Sequence, residues 1–468
     1  MSIALIAIFL LTGVLPEIAS AEPLVVPADV IMVKLKLGEP VFYDNIIVKG
    51  NLSSDRLCLP ARQILRIPFD VKTTSMDSAN LANSTLSITN STIDGWVNFN
   101  NTLFQKPVSF QGTVFTHDSS FRNCKFSEGA FFAESWFSGA ADFMQSQFMG
   151  PADFSLATLT GPAIFLNSQF DNYAIFYLSD FGGPSYLRGA KFLGPVSFEG
   201  SGFHDLAEFE TAQFGSISLF EGTHFGGPAN FRKAAFSDSA LFNTTQFNGE
   251  ASFYEAQFAA PVDFKEADFN QSAAFALASF AGEASFRGAE FNRSASFNRS
   301  GFGGTAEFSN CTFLGPADFE ASQFSLECVF NDSTFLSPAN FLGARFLGYL
   351  ELSGSQFAED ADFSHAMFEG PADFSRSLFG KNASLFGAQF QKNAYLESCQ
   401  IERLNLTGTL YPWIFLRWDS IGNFESDEDA YRRMIKNYEG LRWQQDAKDC
   451  SSDYQRRAGK ALWFLNII

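Results

Sequence analysis

Residues 370–380 read GPADFSRSLFG, and closely similar phrases begin at Gly150, Gly194, Gly227 and Gly315. Each phrase carries two large apolar residues separated by five positions, with a small residue two places before each of them. A phrase that returns at a fixed interval indicates one short structural unit repeated along the chain.

Large apolar residues form two interleaved series with a period of 11. One series runs from Phe104 to Ile401 and the other from Phe110 to Leu396. Of their 55 positions 49 are Phe and the others are Leu or Ile, and no insertion interrupts these 298 residues. Ten of the 17 Pro residues lie three places before a position of the second series. Pro at this frequency excludes a continuous helix, and the fixed period indicates a solenoid whose units bury their apolar faces against one another.

The units ADFSR, beginning at Ala372, and SLFGK, beginning at Ser377, resemble consecutive repeats of the pentapeptide-repeat family. The chain resembles the Phe-rich variant of that family, with one extra residue in every second unit, over roughly residues 80–401. The resemblance implies an all-β solenoid, a right-handed quadrilateral parallel β-helix. In it the large residue and the small residue two places before it both point inward.

Four faces per coil require two 11-residue units, so we predict about 22 residues per coil, each coil stacking on the next. The 298 residues of the two series then form about 13.5 coils and, at the ~4.8 Å spacing of neighbouring strands, a rod roughly 65 Å long.

The two ends differ from the repeat, and we predict four segments: a signal peptide at 1–21, an N-terminal cap at 22–79, the β-helix at 80–401 and a helical tail at 402–468. The first segment is apolar and ends in Ala-Ser-Ala, which fits a signal peptidase site; an uncleaved anchor is the alternative. The second segment has helical spacing from Ala28 to Leu37 and strand-like alternation after it. It also resembles the leader that precedes the repeats in some exported archaeal members of the family.

The tail has helical spacing from Tyr431 to Leu441 and again from about Gln445 to Gly459. It carries ten acidic and ten basic residues, whereas residues 104–401 carry 32 acidic and 15 basic residues, a net charge of −17. The tail is similar to segments that lead into a membrane-spanning, channel-like domain in some relatives. Residues 461–468 are too few to span a bilayer, so we expect at most membrane association through the tail and do not carry channel activity over.

Nine second-series positions are preceded by a carboxylate, which opens two interpretations: a cation-binding or glycoside-hydrolysing array, or a solvated wall. With two units per coil, only Glu351 and Asp373 stack on one face of adjacent coils, whereas carboxylates 11 residues apart fall on different faces. We therefore favour a solvated wall. The carboxylates are Asp142, Asp153, Glu208, Asp263, Glu307, Asp318, Glu351, Asp362 and Asp373.

The sequence predicts no cofactor and no metal site, because its six Cys and four His show no ligand-like spacing. Four of the cysteines, at 124, 311, 328 and 399, occupy the small inward position and are expected in the core.

Outward aromatic and aliphatic residues are concentrated at one part of the repeat, and we predict a patch there that binds a partner or a sugar, or is covered by the tail or a second molecule. Its residues are Phe131, Trp136, Ile164, Tyr173, Ile175, Tyr177 and Tyr186.

Taken together, these features predict a non-catalytic, exported rod that acts as a structural or protein-interaction surface at the cell envelope, either secreted or on the cell surface. Twelve N-x-[ST] sequons fit a glycoprotein. We expect an envelope protein or a glycan as partner, end-to-end homo-oligomers and no nucleic acid. Three alternatives remain: the ectodomain of a membrane channel-like assembly, an acidic DNA mimic that inhibits a topoisomerase, which the signal peptide disfavours, and a carbohydrate-active enzyme.

Overall fold

A computed structural model describes residues 23–56, 61–65 and 76–465 of the chain. The predicted signal peptide lies outside the described residues. The described chain forms a parallel β-solenoid in which each coil contributes four short strands. Phe104 pairs with Phe126 and Ala152 with Ala174, so strand partners in the regular part are 22 residues apart, which confirms the predicted coil length.

The four faces of the solenoid are numbered in the order in which the chain visits them from Val114 onward. Two-residue strands recur once per coil on each face: face 1 from Val114–Phe115 to Gln356–Phe357, face 2 from Ser119–Ser120 to Ala361–Asp362, face 3 from Lys125–Phe126 to Gln389–Phe390 and face 4 from Val108–Ser109 to Ala394–Tyr395. Faces 2 and 4 lie on opposite sides of the rod because each is reached from the other by half a coil.

The ladders continue beyond the Phe lattice at both ends. At the N-terminal end the strands are Leu24–Pro27, Val41–Asp44, Ile46–Lys49, Leu52–Ser53, Met76–Ala82 with the antiparallel Ala61–Leu65, Leu86–Thr89, Thr92–Asp94, Val97–Asn98 and Thr102–Phe104. At the C-terminal end the long strand Leu378–Ser384 still lies within the lattice, and Gln400–Asn405, Ile414–Phe415 and Ile421–Phe424 extend the ladders past it. Three-residue 3-10 helices lie at Ser54–Arg56 and Trp418–Ser420.

Among the described residues, face 4 alone has 17 strands, more than the 13.5 coils counted from the Phe lattice. The Phe lattice does not report the additional coils, because Ile, Leu and Val replace Phe in them. The last coil is also shorter than the rest, since Ala394 pairs with Ile414, 20 residues away. At ~4.8 Å per strand, 17 strands give a ladder about 77 Å long.

Phe rings fill the core in continuous stacks. Phe275 is fully buried, and its ring lies 4.9 Å from the rings of both Phe253 and Phe297, which are nearly parallel to it. Across the core it meets Phe264 edge to face, at 5.4 Å and 82°. Both arrangements suit the ring quadrupole, and the small residues predicted to point inward, such as Ala273, are buried beside the rings.

One residue in every 11 has a left-handed backbone. It lies two places after each second-series position, from Gly112 to Ser398, and has φ between 52° and 75°. Gly occupies only eight of these 27 positions; the others hold residues such as Leu277, at φ 59°. A side chain in this region costs about 1–2 kcal/mol, so the solenoid maintains many of its turns against local preference.

Helix α1 (Ala28–Leu37) lies where the helical spacing predicts it and ends at Gly38, whose φ is 74°. Its residues Ile31, Met32 and Leu35 are buried in the same hydrophobic core as the Phe stacks. The helix therefore takes the place that strands occupy in later coils.

Helices α2 (Glu428–Leu441) and α3 (Gln444–Leu465) pack on each other and on the last coil. Met434 and Tyr438 are fully buried there. The side chain of Asn437 accepts a hydrogen bond from the Ile414 N–H (3.1 Å) and donates one to the Ile414 carbonyl (2.8 Å). Asn437 thus supplies to the last strand of face 4 the two bonds that a further strand would make. None of the described helices is long and apolar enough to cross a membrane.

We expect the Leu277→Gly variant to be more stable than the natural protein by about 0.5–1 kcal/mol, because Gly adopts the left-handed backbone without the Cβ penalty, although it loses more chain entropy. The midpoint of denaturant unfolding measures the change. Leu336→Gly is the matched control, since Leu336 is similarly exposed but has no left-handed backbone. It should be destabilised by about 0.5–1 kcal/mol, and a loss of stability in both variants would contradict the prediction.

We expect Asn437→Ala to destabilise the C-terminal end by about 2–3 kcal/mol, because it leaves the buried N–H and C=O of Ile414 without partners. Hydrogen exchange of the Ile414 amide should accelerate accordingly. The exposed neighbour Lys436 provides the control, since Lys436→Ala should leave that exchange rate unchanged. If the Ile414 amide exchanged as slowly in the Asn437→Ala variant as in the natural protein, the Asn437–Ile414 hydrogen bonds would not stabilise this end.

Candidate functional site

The outward apolar residues near 131–186 do not form one patch. Ile164 and Tyr186 are paired neighbours on face 2. Phe131 and Ile175 lie on the opposite face 4, with Asp153 between them. The predicted single patch is therefore split between two sides of the rod.

Of the remaining residues of that set, one lies on a third face and two flank Ile175 on face 4. Trp136 is on face 1, between Val114 and Thr158 of the adjacent coils. Tyr173 precedes a face 4 strand and Tyr177 lies in the turn after it, and both are exposed. A ligand that touches one rod can reach the face 4 group or the face 2 pair, not all seven residues.

The carboxylates of the second series have a structural role in the turns. Asp263 accepts a hydrogen bond from the Lys265 N–H (2.8 Å), and Asp373 accepts one from the Ser375 N–H (2.8 Å). Asn340 does the same for Leu342 (3.0 Å). A short polar acceptor that bonds the backbone two residues ahead stabilises a turn, which explains why Asp and Asn recur at this position.

Most of these carboxylates are half-buried, and Asp142 is the exception to the predicted solvated wall. It is 6% exposed, forms an ion pair with Arg122 and accepts a hydrogen bond from the Met144 N–H. Arg122 reaches Asp142 from the turn of the preceding coil, a contact that spacing along one series does not reveal.

Within the paired strands that the structure describes, two acidic residues are direct partners at two places. Glu351 and Asp373 pair on face 4, as the coil length predicts. Asp268 and Glu290 pair on face 1, outside the second-series positions. Burial raises the pKa of Asp268. Within the described ranges no group of three or more His, Cys, Asp or Glu side chains is placed to hold a metal ion.

The cysteines of the repeat lie in the core. Cys124, Cys311, Cys328 and Cys399 are buried and free, as is Cys450 of the tail. The Cys311 thiol donates to the Phe286 carbonyl (2.9 Å), as the Ser hydroxyls at equivalent positions do. Burial raises the pKa of all five thiols, that of Cys399 to about 12. They therefore remain protonated and unreactive near neutral pH.

A shallow hollow of about 350 Å³ lies between the last coil and α3. Its floor includes Asp453, which accepts hydrogen bonds from Tyr431 (2.7 Å) and Arg457 (3.0 Å). Burial opposes ionisation of Asp453, but the hydrogen bonds from Tyr431 and Arg456 and the charge of Arg457 outweigh it and lower the pKa. The polar groups around the hollow thus bind mainly one another.

The N-terminal end carries exposed apolar side chains that the sequence analysis did not single out as a site. They lie on α1 and on the two strands beside it and are called here the N-terminal apolar surface: Leu24, Val25, Val30, Val33, Leu37 and Phe42, each 44–67% exposed. A helix that is apolar on both its inner and outer sides is the signal that identifies this surface.

The repeat geometry agrees with one family model, described as pentapeptide repeats (nine copies). That model matches residues 110–158 and, through overlapping matches, residues 220–400. These two segments are pentapeptide repeats. Among curated proteins, none matches the chain.

The same coil geometry continues through residues 159–219, between the two matches. Phe170, Phe192 and Phe214 maintain the same stacks there, at 4.9 and 5.3 Å. Pentapeptide-repeat solenoids are generally non-catalytic. Their regular coils hold side chains at fixed positions on flat faces, and a chemically distinct site has to be formed by outward residues or by the ends.

We expect the five described cysteines of a Cys58→Ser variant to remain unmodified by a chromogenic disulfide reagent at pH 8 while the protein is folded, because the thiolate is the reacting form. All five should react after denaturation. The exposed Ser138 provides a positive control, since Ser138→Cys should add one rapidly reacting thiol. Rapid modification of the folded Cys58→Ser protein would show that a core thiol is accessible.

Proposed function

We propose that this protein is a non-catalytic rod, exported to the cell envelope, that serves as a structural or protein-interaction surface. The observation that carries the proposal is the unbroken coil register from Phe104 to Phe379, in which each strand pairs with its equivalent on the next coil and no loop is inserted between coils. Catalytic groups usually sit on loops that a scaffold positions. A rod without such loops offers instead a long surface on which outward side chains recur at a fixed spacing.

Export is supported by the apolar leader at 1–21 and its Ala-Ser-Ala end. Two sequons also lie where a glycan would be accessible, since Asn83 and Asn310 are exposed. Others are engaged in the wall: Asn292 donates to Asn270 (2.6 Å), which in turn donates to Asn248 (2.7 Å). We infer that glycosylation, where it occurs, uses the exposed sequons.

The interaction role rests on the outward apolar pairs and on the two ends. Ile164 with Tyr186 on face 2, and Phe131 with Ile175 on face 4, offer separate contacts to an envelope protein or a glycan. Within the predicted cap at 22–79, α1 closes the N-terminal end, because it buries Ile31 and Leu35 in the core. The tail closes the other end through Asn437 and is the segment through which the protein would contact a membrane or a channel-like partner.

We expect the protein to be digested by protease added to intact cells of its producing organism, and its mature N-terminus to be Glu22. Fractionation followed by immunodetection of the tail measures the first, and N-terminal sequencing the second. A variant lacking residues 1–21 is the matched control and should be protected inside the cell, as an abundant cytoplasmic protein should be.

Protection of the natural protein in intact cells would overturn the envelope proposal. It would favour the acidic DNA mimic instead, because the repeat carries a net charge of −17 and would then share a compartment with DNA. If protease digests the protein on intact cells but residues 1–21 are still present, the envelope location stands and residues 1–21 act as an anchor.

A further inference from the structure

Helix α1 is apolar on two sides. Ile31, Met32 and Leu35 face the core and are at most 2% exposed. On the outer side, Val30, Val33 and Leu37 follow the i, i+3, i+7 spacing of a single stripe and are 44–67% exposed. A helix with this pattern is normally covered on both sides, so its outer stripe requires an occupant.

The strands beside α1 extend that stripe. Leu24 is 65% exposed, Val25 52% and Phe42 66%, and α1 contacts both strands that carry them. Together the six side chains make up the N-terminal apolar surface at one end of the rod. An apolar group of this kind marks an interaction site more often than chance exposure.

The strand Leu24–Pro27 also has an open edge. It is the outermost described strand of face 1, and within the described ranges it pairs only with Ile46–Lys49, on its inner side. Apart from Pro27, which has no N–H to donate, the N–H and C=O groups on the other side of this strand are available to a further strand. An exposed apolar edge strand therefore offers both backbone bonds and side-chain contacts to a partner.

Charge favours contact at this end over contact along the rod. Residues 23–56 carry four acidic and four basic residues, whereas residues 104–401 have a net charge of −17. Two rods that approach side by side bring their acidic faces together and repel each other. Two rods that meet at their N-terminal ends join neutral surfaces.

We propose that the N-terminal apolar surface binds the same surface of a second copy, so that two rods join head to head. The two Leu24–Pro27 strands pair antiparallel about a two-fold axis, and the outer stripes of the two α1 helices pack beside them. A two-fold contact of this type is self-complementary and closes after two copies. The proposal rests on the proposed role as an interaction rod and names its partner.

A lipid surface fits the same side chains less well. Hydrocarbon cannot satisfy the open backbone edge of Leu24–Pro27, and open sheet edges do not occur in the hydrocarbon region of a bilayer. A second copy satisfies the edge and covers the apolar side chains at once, so the second copy is the better occupant.

The test uses the protein purified from the cells that produce it, with any processing of residues 1–21 left as it occurs. Sedimentation equilibrium should give a dimer, and small-angle X-ray scattering should give a maximum dimension about twice that of one rod. Val33→Lys should raise the dimer dissociation constant at least about tenfold, because it places a charge in an apolar contact. Leu336→Lys, on a similarly exposed leucine of the repeat, should leave it unchanged.

A second variant, Leu37→Lys, should weaken the dimer as Val33→Lys does, and matching unfolding midpoints would show that both variants are folded. A monomer at all concentrations, or a dimer that neither variant weakens, would overturn the proposal. So would a monomer that sediments with phosphatidylcholine–phosphatidylglycerol vesicles and loses this binding on Val33→Lys, which would assign the surface to lipid. These results are independent of protease accessibility in cells, so the envelope proposal and the dimer proposal can fail separately.

Discussion

The whole solenoid depends on the agreement between two distances. Neighbouring β-strands lie about 4.8 Å apart, and two phenyl rings stacked offset in parallel have nearly the same separation. When the same Phe position recurs on each coil, as at Phe253, Phe275 and Phe297, the backbone ladder and the ring stack are satisfied by one repeat distance. Neither can change its spacing without straining the other.

This agreement limits where the chain can vary. A residue added inside a coil would move every following ring out of its stack, so insertions are tolerated only where the Phe rings stop. The structure shows the converse, the loss of one residue, at Leu378–Ser384. Phe379 pairs 22 residues ahead with Ile401, whereas Asn382 pairs 21 residues ahead with Arg403, where Phe gives way to Leu and Ile. Variation is therefore displaced to outward side chains and to the ends, which is why the proposed contacts lie there.

Much of the fold could be predicted from the sequence, because the Phe lattice reports the coil directly. The coil register, the inward cysteines and the position of α1 all follow from periodicity. The number of coils did not, since Ile, Leu and Val at the ends carry the same positions without the Phe signal. The left-handed turn residue was also missed, because Leu277 and most of its equivalents are not Gly.

The candidate site was predicted less well, for a geometric reason. Phe131 and Ile164 are separated by one and a half coils, which places them on opposite sides of the rod. The 22-residue coil length was enough to assign them to different faces from the sequence alone. Asn437 left no such signal, because an amide that imitates a strand depends on where a helix meets the last coil. The N-terminal apolar surface was visible only as an outer stripe on a helix assigned to the core.

The Asn437 bridge and α1 have a consequence for the size of the molecule. Asn437 bonds the backbone of the last strand of face 4, α1 contacts the strands beside it, and the coils between them repeat one geometry. The separation of the ends is therefore set in steps of one strand spacing, each encoded by a single coil of the chain. Adding or removing whole 22-residue coils would therefore change the length of the rod in fixed increments and leave both ends as they are.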